Sequence, residues 1–277
     1  MRSLSALILG CFAIAAGVAR AEHYEVFIVA GQSNCDGRGK AAELTGTLAK
    51  YAKPQADVLI AYSCTELRGP ILASDGFQPL QPGWSVAPGK GKPTKLPSNT
   101  FGPELAFGRA MADQLPGKKV ALIKFAEGGT SLAKDWNPDI KDRLYPAFLK
   151  FTEASLATLK TQGHTFALRG MIWHQGESDA SLKAEEYQKM LTAFIGRVRT
   201  DLKSPELPFG IGEVYDNGKR DSVRDAQKAT AKEVKGTFFV PADKLKTFDM
   251  GTHFDAASQI ELGQRFAAGM AKAIRTP

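Results

Sequence analysis

Four short polar blocks in this chain carry the residue types of acyl transfer, and each but the last closes a strand-like apolar run. The first, Gly31-Gln32-Ser33-Asn34, follows Val26-Phe27-Ile28-Val29-Ala30. The second is Glu127-Gly128-Gly129-Thr130-Ser131 and the third His174-Gln175-Gly176-Glu177-Ser178-Asp179. The fourth, Asp249-Met250-Gly251-Thr252-His253, stands before the last helical stretch. Covalent ester hydrolysis needs a nucleophile, a base to take its proton, an acid to orient the base and donors to hold an oxyanion. Ser33 suits the first role and His253 the second, while glycine amides and the Gln175 side chain suit the last. Each residue alone has a plainer reading: Ser33 can cap a turn, Gly128 and Gly129 can serve the turn only, Gln175 can tie loops, and His253 can sit on the surface. Their conjunction at successive strand ends favours chemistry, because open parallel sheets bind ligands beyond the carboxyl ends of their strands.

The elements that must position these blocks alternate. Apolar runs over 26–30, 58–62, 119–126, 166–173, 208–214 and 237–240 read as strands. Helical spacing marks 103–115, 144–159, 184–202, 221–234 and 256–274, the first opened by Gly102-Pro103-Glu104 with proline in the first turn and an acid near the positive helix end. Such alternation predicts an α/β fold, a mostly parallel sheet with helices on both faces. Between 63 and 100 the pattern fails, and Gly, Pro, Lys and Ser surround a few apolar residues such as Trp84. A loop of that length in a compact domain is functional or flexible, and an indole there can stack on a sugar or anchor the loop to the core.

Residues 1–21 read as a secretory signal: Arg2, an apolar core over 4–18, and Ala19-Arg20-Ala21 with cleavage expected after Ala21. Ile8-Leu9-Gly10-Cys11 only faintly resembles a lipoprotein box, since little apolar core precedes it. Export would place the remaining chain, 22–277, in the periplasm or outside the cell as one hydrolase domain. Losing Arg2 and Arg20 lowers the formal net charge from +7 to about +5. The remaining lysines are scattered without interleaved aromatics, which argues against a nucleic-acid partner, and no second apolar stretch could cross a membrane. Cys35 and Cys64 survive export and could pair in an oxidising compartment, though spacing alone does not bring them together. Oligomeric state is not written in the sequence.

The blocks resemble the SGNH hydrolase superfamily, and within it the sialate O-acetylesterase-like branch that includes carbohydrate esterase family six. Gly31-Gln32-Ser33-Asn34 is similar to that branch's first block, in place of the Gly-Asp-Ser of the wider superfamily. The run from Lys124 to Leu132 with Trp136 is similar to the second, Trp173 to Asp179 to the third, and His253-Phe254-Asp255 with residues 259–265 to the fourth. The Gly-x-Ser-x-Gly elbow of the α/β-hydrolases is absent around Ser33. The resemblance implies a three-layer α/β/α sandwich of flavodoxin-like SGNH type and a secreted serine esterase that removes O-acetyl groups from carbohydrates. Ser33 would be the nucleophile and His253 the base, with the amides of Ser33 and of Gly128 or Gly129 and the Gln175 side chain as oxyanion hole. Gln32, Asn34, Trp84, Trp136 and Glu177 would contact substrate, and Lys134 with Asp135 would line the same cleft.

One position departs from the superfamily. The orienting acid usually stands three residues before the histidine, where this chain has Met250; Asp249 stands four before. Asp249 is the favoured acid, Glu177 its main competitor and Asp255 a distant third. No cofactor is implied, and no metal, because His174 with Glu177 and Asp179 lacks a third nitrogen or sulfur ligand. Two other functions stay open: an SGNH esterase for other small acyl or aryl esters, which would need a wide apolar acyl pocket, and a carbohydrate-binding protein that keeps the fold without turnover. Acetylated xylan, pectin and sialic acids all offer a small acyl group on a polar ring, and the sequence does not choose among them.

Overall fold

The computed structural model describes residues 21–64, 72–86 and 96–275. The expected leader, Cys11 included, lies outside these residues except for Ala21, as do parts of the long loop, 65–71 and 87–95. In chain order the elements are β1 (His23–Gly31), α1 (Ser33–Asp36), β2 (Gly39–Lys40), β3 (Gln55–Ser63), β4 (Gln78–Leu80), β5 (Thr100–Phe101), α2 (Glu104–Gln114), β6 (Lys119–Ala126), α3 (Leu144–Thr161), β7 (Thr165–His174), α4 (Ala184–Asp201), β8 (Phe209–Gly212), α5 (Asp221–Glu233), β9 (Thr237–Val240) and α6 (Ala256–Ala273). The expected α/β alternation holds, with boundaries shifted by a few residues. The short strands β2, β4 and β5 escaped the sequence because they are two or three residues long and carry no periodicity.

Seven strands form the main sheet in the order β4-β3-β6-β1-β7-β8-β9, all parallel except β4, which runs antiparallel to β3 at the edge. The helices α2 and α6 pack together over one face, where Leu105, Phe107, Leu262 and Phe266 meet Phe27, Val29 and Leu122. On the other face α3, α4 and α5 bring Phe148, Phe194 and Val223 against Ile28, Trp173 and Ile211. This is the three-layer sandwich. Because β1 is covered on both faces, its side chains from Tyr24 onward are buried, which is why it reads as a continuous apolar run rather than an alternating one.

Register fixes the working edge. Gly31 at the end of β1 stands opposite Ala126 at the end of β6 and His174 at the end of β7. The polar blocks that follow these three strands therefore emerge side by side. A buried ammonium braces the edge from beneath: Lys124 donates to the carbonyls of Asp36 at 2.6 Å and Trp84 at 2.7 Å and pairs with Glu104 at 2.8 Å. Burial pushes the Glu104 carboxyl up against the opposing pull of Lys124.

Gly31 is required where it stands. Its φ is +149°, and a Cβ there would lie 2.1 Å from the carbonyl oxygen of His174, the atom that accepts the Gln32 N–H at 3.0 Å. Gly46 also has positive φ, +55°, but a Cβ there would meet nothing within 4 Å. Urea denaturation should therefore separate two equal-sized changes. Gly46→Ala should cost about 1–2 kcal/mol of backbone strain, and Gly31→Ala about 3 kcal/mol or more because strain and clash add.

Candidate active site

The β1 turn delivers Ser33 as the first residue of α1, and the segment between β9 and α6 returns to the same place carrying Asp249 and His253. His253 Nε2 lies 3.1 Å from Ser33 Oγ, and His253 Nδ1 lies 2.6 Å from Asp249 Oδ2. An ionised carboxylate can only accept, so Nδ1 carries the ring proton and Nε2 turns its lone pair to the serine hydroxyl. The four-residue spacing works because Asp249 does two things at once: Oδ2 takes the imidazole, and Oδ1 accepts the backbone N–H groups of Thr252 at 2.9 Å and His253 at 2.8 Å. Met250, at the position where the superfamily has its acid, is 99% exposed. Partial burial pulls the Asp249 carboxyl up, but the bonds from the His253 and Thr252 amides and the imidazole outweigh it and hold the group below the ordinary carboxylate value. Phe248, half exposed, stacks on the imidazole face with 6.0 Å between centroids.

The other acids stand elsewhere. Glu177 Oε1 accepts from Asn34 Nδ2 at 2.7 Å and lies 3.9 Å from Nδ1 of His174, a different histidine. Asp255 caps α6 by accepting the Ser258 N–H at 2.8 Å. Asp179 accepts the N–H groups of Leu132 and Ala133. His174 is wholly buried, which pushes its pKa down and keeps it neutral, and its Nε2 donates to the Glu213 carbonyl at 3.1 Å.

Several expected contacts with the reacting groups are corrected. Gln175 is fully buried, and its Nε2 lies 2.6 to 3.1 Å from Asp179 Oδ2, Thr130 O and Gln32 Oε1, three acceptors that take up its two protons inside the protein rather than leaving them to an oxyanion. Asn34 is also fully buried: Nδ2 donates to Glu177 and to the Thr252 carbonyl, and Oδ1 accepts the Phe254 N–H at 3.0 Å. It pins the histidine segment instead of meeting substrate. Trp84 is 4% exposed and donates to the Pro79 carbonyl, while Trp136 is enclosed by Phe125, Phe148 and Trp173 with Nε1 on Thr130 Oγ1. Both indoles are core anchors, because a large apolar ring is more stable covered than exposed. Asp135 turns back to the Ser131 N–H at 2.8 Å, and neither it nor Lys134 reaches the cleft. Cys35 and Cys64 are free buried thiols; burial pushes both up, Cys64 to about 11.

A cavity of about 320 Å³ opens over Ser33 and His253. Gln32, Glu177, Gly128 and Gly129 line it. Gln32 Oε1 is held by Gln175 Nε2 and by the N–H groups of Gly176 and Ser178, which locks the side chain in place. A Cβ on Gly128 would lie 3.4 Å from Ser33 Cβ, so the bare backbone of this glycine lies against the nucleophile. Two arginines complete the wall and were not singled out from the sequence. Arg220, 6% exposed, donates to the Gly251 carbonyl at 3.0 Å and to Thr252 Oγ1 at 3.3 Å, tying down the segment that carries the histidine. Arg38, 5% exposed, pairs with Asp36 at 2.6 Å. Arg38 was within reach of sequence reasoning, five residues past Ser33 and just beyond the first block; Arg220 left no local signal.

The family model described as carbohydrate esterase, sialic acid-specific acetylesterase matches residues 23–272. A probable carbohydrate esterase of Arabidopsis thaliana is 27% identical over 256 residues, covering 88% of each chain. The solved structure of that plant protein superposes with a TM-score of 0.70 at 24% identity, over 91% of this chain and 99% of the other. The crystal structure of NanS gives 0.67 at 16% identity, over 94% and 100%. That of a carbohydrate acetylesterase from Xanthomonas citri gives 0.57 at 17%, over 91% and 57%.

The acid assignment can be read by proton NMR without any substrate. The low-field resonance of the His253 Nδ1 proton should vanish in Asp249→Asn and persist in Glu177→Gln. In the unaltered protein it should survive acidification to about pH 4, because Asp249 titrates below its usual value. The stability this carboxylate contributes is complete above its unfolded value of 3.8 and is lost only as pH falls through the depressed folded one.

Proposed function

This chain belongs to the carbohydrate esterase, sialic acid-specific acetylesterase family and is a carboxylic ester hydrolase, and from that premise we propose that it removes O-acetyl groups from carbohydrates through an acetyl-serine intermediate. The observation that carries the reading is the unbroken path from Asp249 through His253 to Ser33, at 2.6 and 3.1 Å, at the floor of a cavity walled by Gly128. Ser33 Oγ attacks the acetyl carbon while His253 Nε2 takes its proton, and Asp249 stabilises the resulting imidazolium. Negative charge gathers on the former carbonyl oxygen, held by the amides of Ser33 and of Gly128 or Gly129. Collapse expels the sugar oxygen, which receives the proton from His253. Water then repeats the sequence with His253 as base and releases acetate.

A cavity of this size suits a small acyl group on a polar ring, and Gln32, Glu177, Ser178, Arg38 and Arg220 in its wall offer the ring polar partners. Acetylated sugars or polysaccharides are the substrates this supports. Residues 1–21, read as a leader with cleavage after Ala21, would export the chain to the periplasm or outside the cell. No helix among the described residues is long and apolar enough to cross a membrane.

Acetate release from 4-nitrophenyl acetate should fall at least about 10³-fold in Ser33→Ala and about 10³- to 10⁴-fold in Asp249→Asn. Undiminished turnover in Ser33→Ala would overturn the mechanism. Comparing acetate release from acetylated xylan, acetylated pectin and O-acetyl sialic acid identifies the sugar, and failure on all three with activity on aryl acetates would make it a general esterase.

A further inference from the structure

With Gln175 withdrawn into the protein, the oxyanion site as described has only backbone donors. The cleft wall holds another. Arg38 Nη1 donates to Asp36 Oδ2 at 2.6 Å and to the Gly37 carbonyl at 2.7 Å, and Asp36 is itself held by the Tyr62 hydroxyl at 2.7 Å and the Val86 N–H at 3.1 Å. A guanidinium is planar and rigid, so anchoring Nη1 fixes where Nη2 points. It points at Gly128: a Cβ built there would lie 2.6 Å from Arg38 Nη2 and 3.4 Å from Ser33 Cβ, so arginine and nucleophile flank the same bare edge of the glycine. Nη2 has no hydrogen-bond partner among the described residues, while Arg38 lines the cavity. Arg220 differs here, because its terminal nitrogens are engaged by Tyr215, Gly251 and Thr252.

We propose that Arg38 is a third oxyanion donor. As Ser33 Oγ bonds to the acetyl carbon, the C=O π pair moves onto oxygen, and Arg38 Nη2–H donates a charge-assisted hydrogen bond to that oxygen beside the Ser33 and Gly128 amides. Arg38 stays protonated throughout; when the C=O bond re-forms and the sugar oxygen leaves, the bond relaxes. A positive charge held 95% out of water acts where negative charge develops, with no reorganisation at the moment of reaction. Asp36 serves as positioning residue, holding the guanidinium without touching the reacting atoms. A side chain at position 128 would crowd the same guanidinium, since its Cβ would lie 2.6 Å from Arg38 Nη2 and force it to shift.

The inference rests on the acetyl-serine reading, and the test separates the two. Arg38→Met and Arg38→Lys are assayed on 4-nitrophenyl acetate and titrated with methylboronic acid, which forms a tetrahedral anion on the serine. Arg38→Met should lower kcat by about 10²–10³ and leave KM within about threefold, with partial recovery in Arg38→Lys. Boronate affinity should fall roughly in step with kcat/KM. If burying Asp36 unpaired prevents folding, the double variant Asp36→Asn with Arg38→Met carries the same test. Retention of kcat within threefold, or a fall in kcat with boronate affinity intact, overturns the role of Arg38. Activity persisting in Ser33→Ala is instead the failure of the serine mechanism itself.

Discussion

Gly31, Ala126 and His174 stand abreast in the register of three parallel strands, and the cleft exists because of that alignment. A one-residue slip of β6 or β7 against β1 would carry Gly128 or Glu177 away from Ser33 and turn buried side chains to the opposite face. The alignment is held where it matters most, at the last rung. The His174 carbonyl takes the Gln32 N–H, the Gly31 carbonyl takes the Glu127 N–H, and only glycine at 31 allows β1 and β7 to come so close. Helices on both faces pack against the strands through the buried side chains of the two main cores.

On that edge, most of the polar residues in the four blocks are structural. Asn34, Gln175 and Asp179 are buried and bonded to backbone groups of neighbouring loops, and each would leave an expensive unpaired partner if removed. Asn34 joins the first block to the fourth, through Thr252 and Phe254, and to the third, through Glu177. Gln175 joins the third block to the second through Thr130 and to the first through Gln32. The few groups left facing the cavity are thereby held in place, as preorganised catalysis demands.

Charge follows the same division. Lys124 and Glu104 neutralise each other wholly out of water beneath the edge, while Asp36 restrains Arg38 at the cleft wall. Asp249 keeps its charge near the surface because two amides and an imidazole hold it below the usual carboxylate range. A carboxylate that stays ionised whenever an imidazole titrates makes a dependable partner for His253.

The parts of this protein readable from sequence are those whose signals are local. Apolar runs marked β1, β6 and β7, helical spacing marked α2 to α6, and the four polar blocks named Ser33, Gly128, His253 and Asp249 as residues able to do ester chemistry. Two-residue strands carry no periodicity and were invisible. Side-chain direction was equally invisible: nothing local to Gln175 or Asn34 says whether the group turns to the cleft or to the core, since that depends on partners such as Thr130, 45 residues from Gln175, and Phe254, 220 residues from Asn34. The same holds for Arg220, which matters only because the segment at Gly251 comes back to meet it. Sequence by itself determined which chemistry was available and at which strand ends; tertiary structure alone decided which of those polar groups face the cavity, because hydrogen bonds between distant loops set that choice.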